Sequence, residues 1–410
     1  MIFGDFVQIN PKVLIKRGQK YPVVMMEDIK PGYRYVSALD EKIYKGGAVF
    51  TSRDTLFARI TPCLENGKIA QYSGEPAFGS TEFIVFRAKE GVSDPDYVYY
   101  LCLTDLIRKP AEKSMKGASG RQRVDVSSII EIEIPHPDLP TQKKIASILT
   151  AYDDLIENNS RRIRILEEMA QMIYREWFVH YRFPGHESVR LVDSGTELGM
   201  VPEGWEVKQI GDVIETLGGS TPSTKVPEYW EQDEIIWFTP SDLTSNDSMF
   251  ITKSSKKISK QGFKNSSTKL FPPYCAMMTS RATIGVVAIN TKEACTNQGF
   301  ITCIPNNRIS VYQLYFWILD NKEKIVSLAS GATYKEINKS EFRELPIIIA
   351  HQEINRLYLD TISPIGNLIK NLINKNKILH QTRDILLPKL ISGEFDMSEL
   401  EIPINLKEGL

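Results

Sequence analysis

The side chains with the plainest chemical use in this sequence are basic and amide groups set in two short runs. Residues 108–124 hold Arg108, Lys109, Lys113, Lys116, Arg121 and Arg123 against a single acid, Glu112. Within this run, Lys116-Gly-Ala-Ser-Gly-Arg-Gln-Arg123 reads as a flexible turn, because glycine lets a backbone approach a surface closely. Arg121, Gln122 and Arg123 carry two-pronged donors that match guanine and adenine edges. The second run, 253–269, holds Lys253, Lys256, Lys257, Lys260, Lys264 and Lys269 with no acid, interleaved with Ser and Thr. That composition suits phosphate contact, which sets affinity and position but not sequence. Either run alone also reads as an ordinary solvated surface.

Catalytic chemistry is absent by the same inspection. No G-x-x-x-x-G-K-[ST] loop occurs, and no glycine-rich turn follows a strand as nucleotide-like cofactors require. Phe271-Pro-Pro-Tyr274 comes near the motif of amino-methyltransferases, but Phe271 cannot accept a hydrogen bond from a base amino group. It reads as a loop or strand edge. Pro137-Asp138 and Glu206-Val-Lys208 are too far apart for a nuclease carboxylate cluster, and the five histidines lack metal-ligand spacing. No catalytic residue, metal site or bound cofactor is expected.

The elements that would position the basic runs are written twice. Gly120-Arg-Gln-Arg through Pro135 and Gly331-Ala-Thr-Tyr through Pro346 stand 211 residues apart at both ends. So long a period marks a duplicated domain rather than a solenoid repeat. Gly4-Asp5 matches Gly211-Asp212, Glu27-Asp-Ile29 matches Ser241-Asp-Leu243, and Ala58-Arg-Ile-Thr61 matches Ser280-Arg-Ala-Thr283. This last match puts Arg59 and Arg281 in equivalent places, where a structural salt bridge is the competing role. In the second copy, Ser330-Gly-Ala-Thr-Tyr-Lys335 stands where the first has its Arg-Gln-Arg turn. Strand-length apolar runs and Gly- or Pro-bearing turns fill both copies.

Each copy is followed by a heptad helix. Ile145, Leu149, Tyr152, Ile156, Asn159, Ile163, Leu166, Ala170, Ile173 and Trp177 alternate spacings of four and three. Tyr358, Ile362, Ile365, Ile369, Leu372, Asn376, Leu379, Arg383, Leu386 and Leu390 do the same. Pro364 should kink the second helix or mark where its regular part begins. Each stripe fits a helix packed on its own domain, and it fits better a pair that satisfies each other. Related by a pseudo-twofold, the pair is antiparallel, spans roughly 60 Å, and carries a domain at each end as a dumbbell. Asn159 and Asn376 would fix register at some cost in stability. The expected class is α+β: two similar mixed domains at 1–138 and 202–347, helices at 139–183 and 348–391, a linker at 184–201 and an acidic tail at 392–410.

Composition adds bounds. The net charge of −1 confines nucleic-acid binding to local patches. Five scattered cysteines without C-x-x-C spacing suggest reduced thiols in a cytoplasmic protein. No basic apolar leader and no apolar stretch of membrane-spanning length is seen.

Taken in order, these features resemble the specificity subunits of type I restriction–modification systems. The resemblance rests on Pro202-Glu-Gly-Trp205 with Ile210-Gly-Asp212, on Gly218-Gly-Ser-Thr-Pro222, and on Tyr229-Trp230 with Trp237-Phe-Thr-Pro-Ser-Asp-Leu243. Thr279-Ser-Arg-Ala-Thr-Ile-Gly285 and Thr296-Asn-Gln-Gly299 are similar to later strands of a target-recognition domain. Leu139-Pro-Thr-Gln142, Asp153-Asp-Leu-Ile-Glu-Asn158 and Leu386-Leu-Pro-Lys-Leu-Ile-Ser-Gly393 look like the helical regions. The first domain departs by opening at Gly4-Asp5 without Pro-Glu-Gly-Trp.

The resemblance implies two target-recognition domains, each reading part of a split double-stranded DNA site, with the helix pair as spacer ruler. It implies a non-catalytic prokaryotic, cytoplasmic subunit that recruits two modification subunits, which carry S-adenosylmethionine and methylate adenine N6, and motor–nuclease subunits that cleave. DNA-contact candidates are then Arg59, Lys116, Arg121, Gln122 and Arg123, and in the second domain Lys256, Lys257, Lys260, Arg281, Tyr334 and Lys335. Outward helix residues, including Arg161, Arg162, Arg164, Glu167 and Glu168, are candidates for docking the modification subunits. A stand-alone methyltransferase or nuclease, and a coiled-coil adaptor without DNA binding, are the competing readings.

Overall fold

The computed structural model describes residues 1–118, 121–231, 234–331, 335–395 and 397. The chain divides into two compact units, Met1–Ser160 with Ile373–Leu410, and Arg161–Leu372. Both units are mixed α and β, and both are built to one plan.

In the first unit a five-stranded sheet runs in the order Val7–Ile9, Phe83–Ala88, Thr55–Ala58, Ile69–Tyr72, Tyr35–Val36. In the second the order is Glu215–Gly218, Phe300–Ile304, Ala276–Thr279, Val287–Asn290, Phe250–Ile251. The last pairing is parallel in each, Tyr35 opposite Gln71 and Phe250 opposite Ile289. Thr55–Ala58 and Ala276–Thr279 are buried throughout, as central strands covered on both faces must be. A smaller sheet accompanies each: Asp40–Ile43, Lys20–Val24, Ala77–Gly79 and Ala48–Phe50 in one, Lys256–Ile258, Ile235–Phe238 and Ala294–Thr296 in the other. The matched aspartates have matched work. Asp28 accepts the Met25 amide at 2.6 Å, and Asp242 accepts the Thr239 amide at 2.7 Å, each capping a short helical turn.

The two long helices are Leu139–Phe178 and Gln352–Ile391. Asp138 opens the first: its Oδ1 accepts the Thr141 amide at 3.0 Å, and Pro140 sits where no amide partner is needed. The chain leaves that helix through Tyr181, whose φ of 58° cannot continue it. Pro364 lies inside the second helix, which neither starts nor stops there. Pro364 and Asp360, whose carbonyl loses its amide, are both exposed, so water can replace the missing bond. The expected linker is partly ordered. Leu191–Asp193 and Met200–Pro202 form an antiparallel hairpin, closed by the Ser194 amide on the Gly199 carbonyl at 2.9 Å. Beyond the second helix, Met397 is buried in the same apolar cluster as Phe3, Phe6 and Ile145.

Within each unit the helical segments run antiparallel. In the first, Asn159 Nδ2 donates to Asn376 Oδ1 at 2.8 Å, and Asn376 Nδ2 to Ser160 Oγ at 3.1 Å. Further along, Arg383 Nη1 reaches Asp153 Oδ1, both side chains no more than 5% exposed. Ile145, Leu149 and Ile156 are buried, Tyr152, Leu379 and Leu386 half-buried. In the second unit Trp177 and Phe178 pack on Tyr358 with ring centroids 5.6 and 4.9 Å apart. There Ile163, Ala170, Ile362, Ile369 and Leu372 are buried, and Leu166, Ile173 and Ile365 half-buried.

The seam is therefore duplicated in position but not in chemistry. Helix positions 213 residues apart correspond, as Ile145 does to Tyr358. By that rule Gly366 and Ala170 stand where Asp153 and Arg383 do, and Leu372 and Ile163 where Asn159 and Asn376 do. Gly366 has a steric reason. A Cβ there would lie 2.3 Å from Tyr312 Oη, so only glycine admits that ring against the helix.

In the first unit the ion pair continues inward. Tyr100 donates to Asp153 Oδ2 at 2.5 Å, and Arg34 Nη1 donates to Tyr100 Oη at 3.2 Å. Arg34 also meets Asp96 at 2.6 Å and Thr150 on the helix. Arg383 Nη1 further donates to the Gly32 carbonyl at 2.9 Å. One polar chain thus ties the sheet domain of this unit to both helical segments. Burial alone would push the Asp96 carboxyl up, but Arg34 and Arg53 outweigh it and hold Asp96 below its usual range.

Candidate nucleic-acid interface

At one end of each five-stranded sheet three loops meet. In the first unit the Arg59 amide bonds the Glu82 carbonyl at 2.9 Å, and the Val124 amide the Arg59 carbonyl at 2.8 Å. In the second, the Ser280 amide bonds Gly299 at 2.8 Å, and the Ile337 amide bonds Ser280 at 3.1 Å. The basic turn lies in this cluster. A bridge between Lys116 and Arg123 closes it, and the Ser330–Glu336 bridge closes its counterpart. Gly117 and Gly331 follow the first bridge residue in each loop, with φ of 133° and 127°, a region open to glycine.

This register corrects two expectations. Arg59 is equivalent to Ser280, and Arg281 to Ile60, as the bridges Ile60–Arg123 and Arg281–Glu336 also require. A slip of one residue in extended backbone turns the side chain to the opposite face, so the two arginines are not interchangeable. Likewise Gly331 matches Gly117 rather than Gly120.

The candidate residues divide by environment. Arg123 grips Glu82, with Nε 3.0 and 2.9 Å from its two carboxylate oxygens. The Arg123 hydrogen bond, with its charge and that of Arg59, holds the Glu82 carboxyl below its usual range. Arg123 thus braces the loop. Arg59 is half-buried, and its Nε is enclosed without a hydrogen-bond partner among the described residues. Lys116 lies 3.1 Å from Asp125 but stays 80% exposed, so the pair is weak and available. Gln122 is pinned through its backbone, its amide on Thr61 Oγ1 at 3.0 Å. Arg121 is exposed, and among the described residues no side-chain hydrogen bond or ion pair engages it. It is the donor best placed to reach outward.

In the second unit Arg281 Nε sits 2.6 Å from Glu336 Oε1, an ion pair without hydrogen-bond alignment. Lys260 pairs with Glu234 at 3.4 Å, and Lys256 lies over the Trp230 ring at 5.9 Å. Lys257 is half-buried and Lys335 is exposed. Tyr334 lies outside the described residues. Phe271-Pro-Pro-Tyr274 is a turn: Phe271 bridges Ala294, and Tyr274 adopts φ 66°.

The 219–226 loop at the same end, whose Gly218-Gly-Ser-Thr-Pro222 carried part of the family resemblance, supplied no contact candidate from sequence. Ser220 N donates to the Thr296 carbonyl at 2.9 Å, and a Cβ at Gly219 would lie 2.1 Å from the Asn297 carbonyl. Two indoles hold the loop, Trp237 Nε1 on the Ser220 carbonyl at 3.0 Å and Trp230 Nε1 on the Ser223 carbonyl at 3.1 Å. The sequence signal was the Gly-Gly-Ser-Thr-Pro motif itself, with Trp230 and Trp237 following it.

Among the described residues no group of His, Cys, Asp and Glu could hold a metal ion, and no helix is long and apolar enough to cross a membrane. The five cysteines are free. Two copies of one sheet domain, each offering a loop cluster with different side chains, define a two-headed recognition protein.

Comparison with known proteins agrees. The family profile of the type I restriction modification DNA specificity domain matches residues 4–168 and again 202–380. The chain belongs to this family and, with two copies in one polypeptide, to the specificity subunits of type I restriction–modification systems. It is 35% identical over 188 residues to the MjaIX specificity subunit of Methanocaldococcus jannaschii, covering 45% of this chain and 43% of that relative. To the HindI specificity subunit of Haemophilus influenzae it is 25% identical over 375 residues, covering 77% of this chain and 80% of the relative. The crystal structure of the S subunit from M. genitalium shares the fold, with a TM-score of 0.51 at 15% identity over 95% of each chain.

Proposed function

We propose that the two sheet domains each read one part of a split, asymmetric DNA site, and that the chain itself carries out no chemistry. The observation that carries this reading is the loop cluster built twice on one frame with different side chains. Identical heads would read identical half-sites. Here Arg121 and Gln122 occupy one frame, and Arg281 and Lys335 the other. The lysines of 253–269 supply phosphate contact, and the helix pair sets the spacer between half-sites. Methyl transfer from S-adenosylmethionine to adenine N6 belongs to two modification subunits, and cleavage to motor–nuclease subunits, in a prokaryotic cytoplasm.

A repeated exposed stripe supports two identical partners. Leu155 and Leu368 are 47% and 39% exposed, Ile165 and Ile378 56% and 61%, and Met172 and Ile385 58% and 63%. The members of each pair stand 213 residues apart, so each unit offers an apolar trio at equivalent positions. Large apolar side chains exposed in the same pattern twice mark contact surfaces rather than scatter. Arg162, Arg164 and Glu168 are exposed among them. Glu167 is not outward: it accepts Ser248 Oγ and the Met249 amide, both at 2.6 Å, and serves its own unit.

Ile165→Glu with Met172→Glu should leave one modification subunit bound instead of two, and Ile378→Glu with Ile385→Glu the other. Native mass spectrometry of the co-purified complex reads the stoichiometry. Two subunits retained in both variants would remove the stripe from the docking surface.

A further inference from the structure

We propose that Gln298 is a base-reading residue of the second domain, and that Thr221 is its positioning residue. The inference rests on the reading of this chain as a DNA-specificity subunit and extends it to particular atoms.

Gln298 is exposed at the tip of the turn Asn297-Gln298-Gly299. That turn is rigid. Asn297 Oδ1 accepts the Gly299 amide at 2.9 Å, the Asn297 amide bonds Phe238 at 3.1 Å, and Gly299 accepts Ser280 at 2.8 Å. An exposed glutamine normally spends its rotamer freedom in water. Here Thr221 Oγ1 donates to Gln298 Oε1 at 2.6 Å and fixes the amide. Thr221 in turn sits on the loop held by the Trp230 and Trp237 indoles. Thr268 Oγ1 also donates to the Ser220 carbonyl, at 3.1 Å. An exposed side chain is thus braced by a succession of fixed groups.

The remaining capacity of Gln298 points to its ligand. With one lone pair of Oε1 taken by Thr221, the amide keeps two N–H donors and one acceptor lone pair. That set matches an adenine edge, Nε2–H to N7 and Oε1 from N6–H. The position also distinguishes the domains. Gly299 is equivalent to Glu82, so Gln298 falls at Thr81, where Glu82 is bound by Arg123 instead. At this turn the second head thus presents a neutral amide, where the first has Thr81 followed by an acid held by Arg123.

The test uses the full chain assembled with its modification subunits, and maps methylated motifs by long-read sequencing. Gln298→Leu should relax one base position of the second half-site and leave the first intact. Thr221→Val should relax the same position, and Thr221→Ser, which keeps the hydroxyl, should restore the parent motif. Should Gln298→Leu abolish methylation, binding to duplexes substituted singly across the second half-site decides. A loss of discrimination of roughly tenfold to a hundredfold at one position upholds the role, and a uniform loss overturns it. An unchanged motif, or a change in the first half-site, also overturns it. A wild-type complex that methylates no split motif would instead remove the specificity-subunit reading itself.

Discussion

Arg383→Ala is expected to cost the first unit about 3–5 kcal/mol of folding free energy. The substitution leaves the Asp153 carboxylate, 3% exposed, with Tyr100 as donor and no counter-charge, and strips the Gly32 carbonyl of its partner. Against a typical domain stability of about 5–15 kcal/mol, that is a large share. The double variant should be mild for the same reason. Arg383→Met with Asp153→Ala removes both charges, and Tyr100 can still accept from Arg34, so most of the loss should return. Urea unfolding followed by circular dichroism measures the difference. All five tryptophans lie within 161–372, so their fluorescence reports the second unit alone and locates the damage. A single variant as stable as the parent would show that the buried pair contributes nothing.

The second large effect is on recognition. Arg121→Ala is expected to reduce discrimination at one base position of the first half-site by roughly tenfold to a hundredfold. Arg121 is exposed on a loop whose base is closed by the Lys116–Arg123 bridge and braced by Arg123 on Glu82. Arg123→Ala should behave differently, because it unpins the loop and frees a carboxylate. It should weaken the whole first half-site rather than one base. Competition binding of the assembled complex, with duplexes altered in one half at a time, separates the two. An equal loss across both half-sites with Arg121→Ala would contradict the assignment.

The parts of this molecule that obey a period were readable from the sequence. Heptad spacing marked both helices, and the seam residues from Ile145 to Leu390 are buried or half-buried as that spacing requires. Duplication announced two domains of one plan, and Asn159 meets Asn376, the two seam residues expected to fix register. What the period could not carry was chemistry arising between elements. Asp153 sits one residue off the seam, so nothing in the heptad identified it as the partner of Arg383. Arg34 carried no sequence signal, and only tertiary packing encloses it with Tyr100 and Asp96.

Register was the other limit. Aligning Arg59 with Arg281 maximised identity, whereas the bridges align Arg59 with Ser280, and a single position decides which face a side chain takes. The helix end at Phe178 was placed late because Tyr181 leaves by a left-handed turn that no proline or glycine announces. Pro364 does not mark the start of the second helix, since an exposed carbonyl can lose its amide to water inside a helix. Gln298 and Thr221 lay in motifs that carried the family resemblance, but nothing in the sequence paired them, because their hydrogen bond forms only when folding brings two loops together.

The central claim is that one chain reads two different half-sites with two independent heads. Long-read methylation mapping of a host carrying this chain and the proposed modification subunits, before and after Arg121→Ala, tests it most directly. The account predicts one split motif with a fixed spacer, altered by the substitution in a single half. A continuous motif, or the same change appearing in both halves, would contradict it.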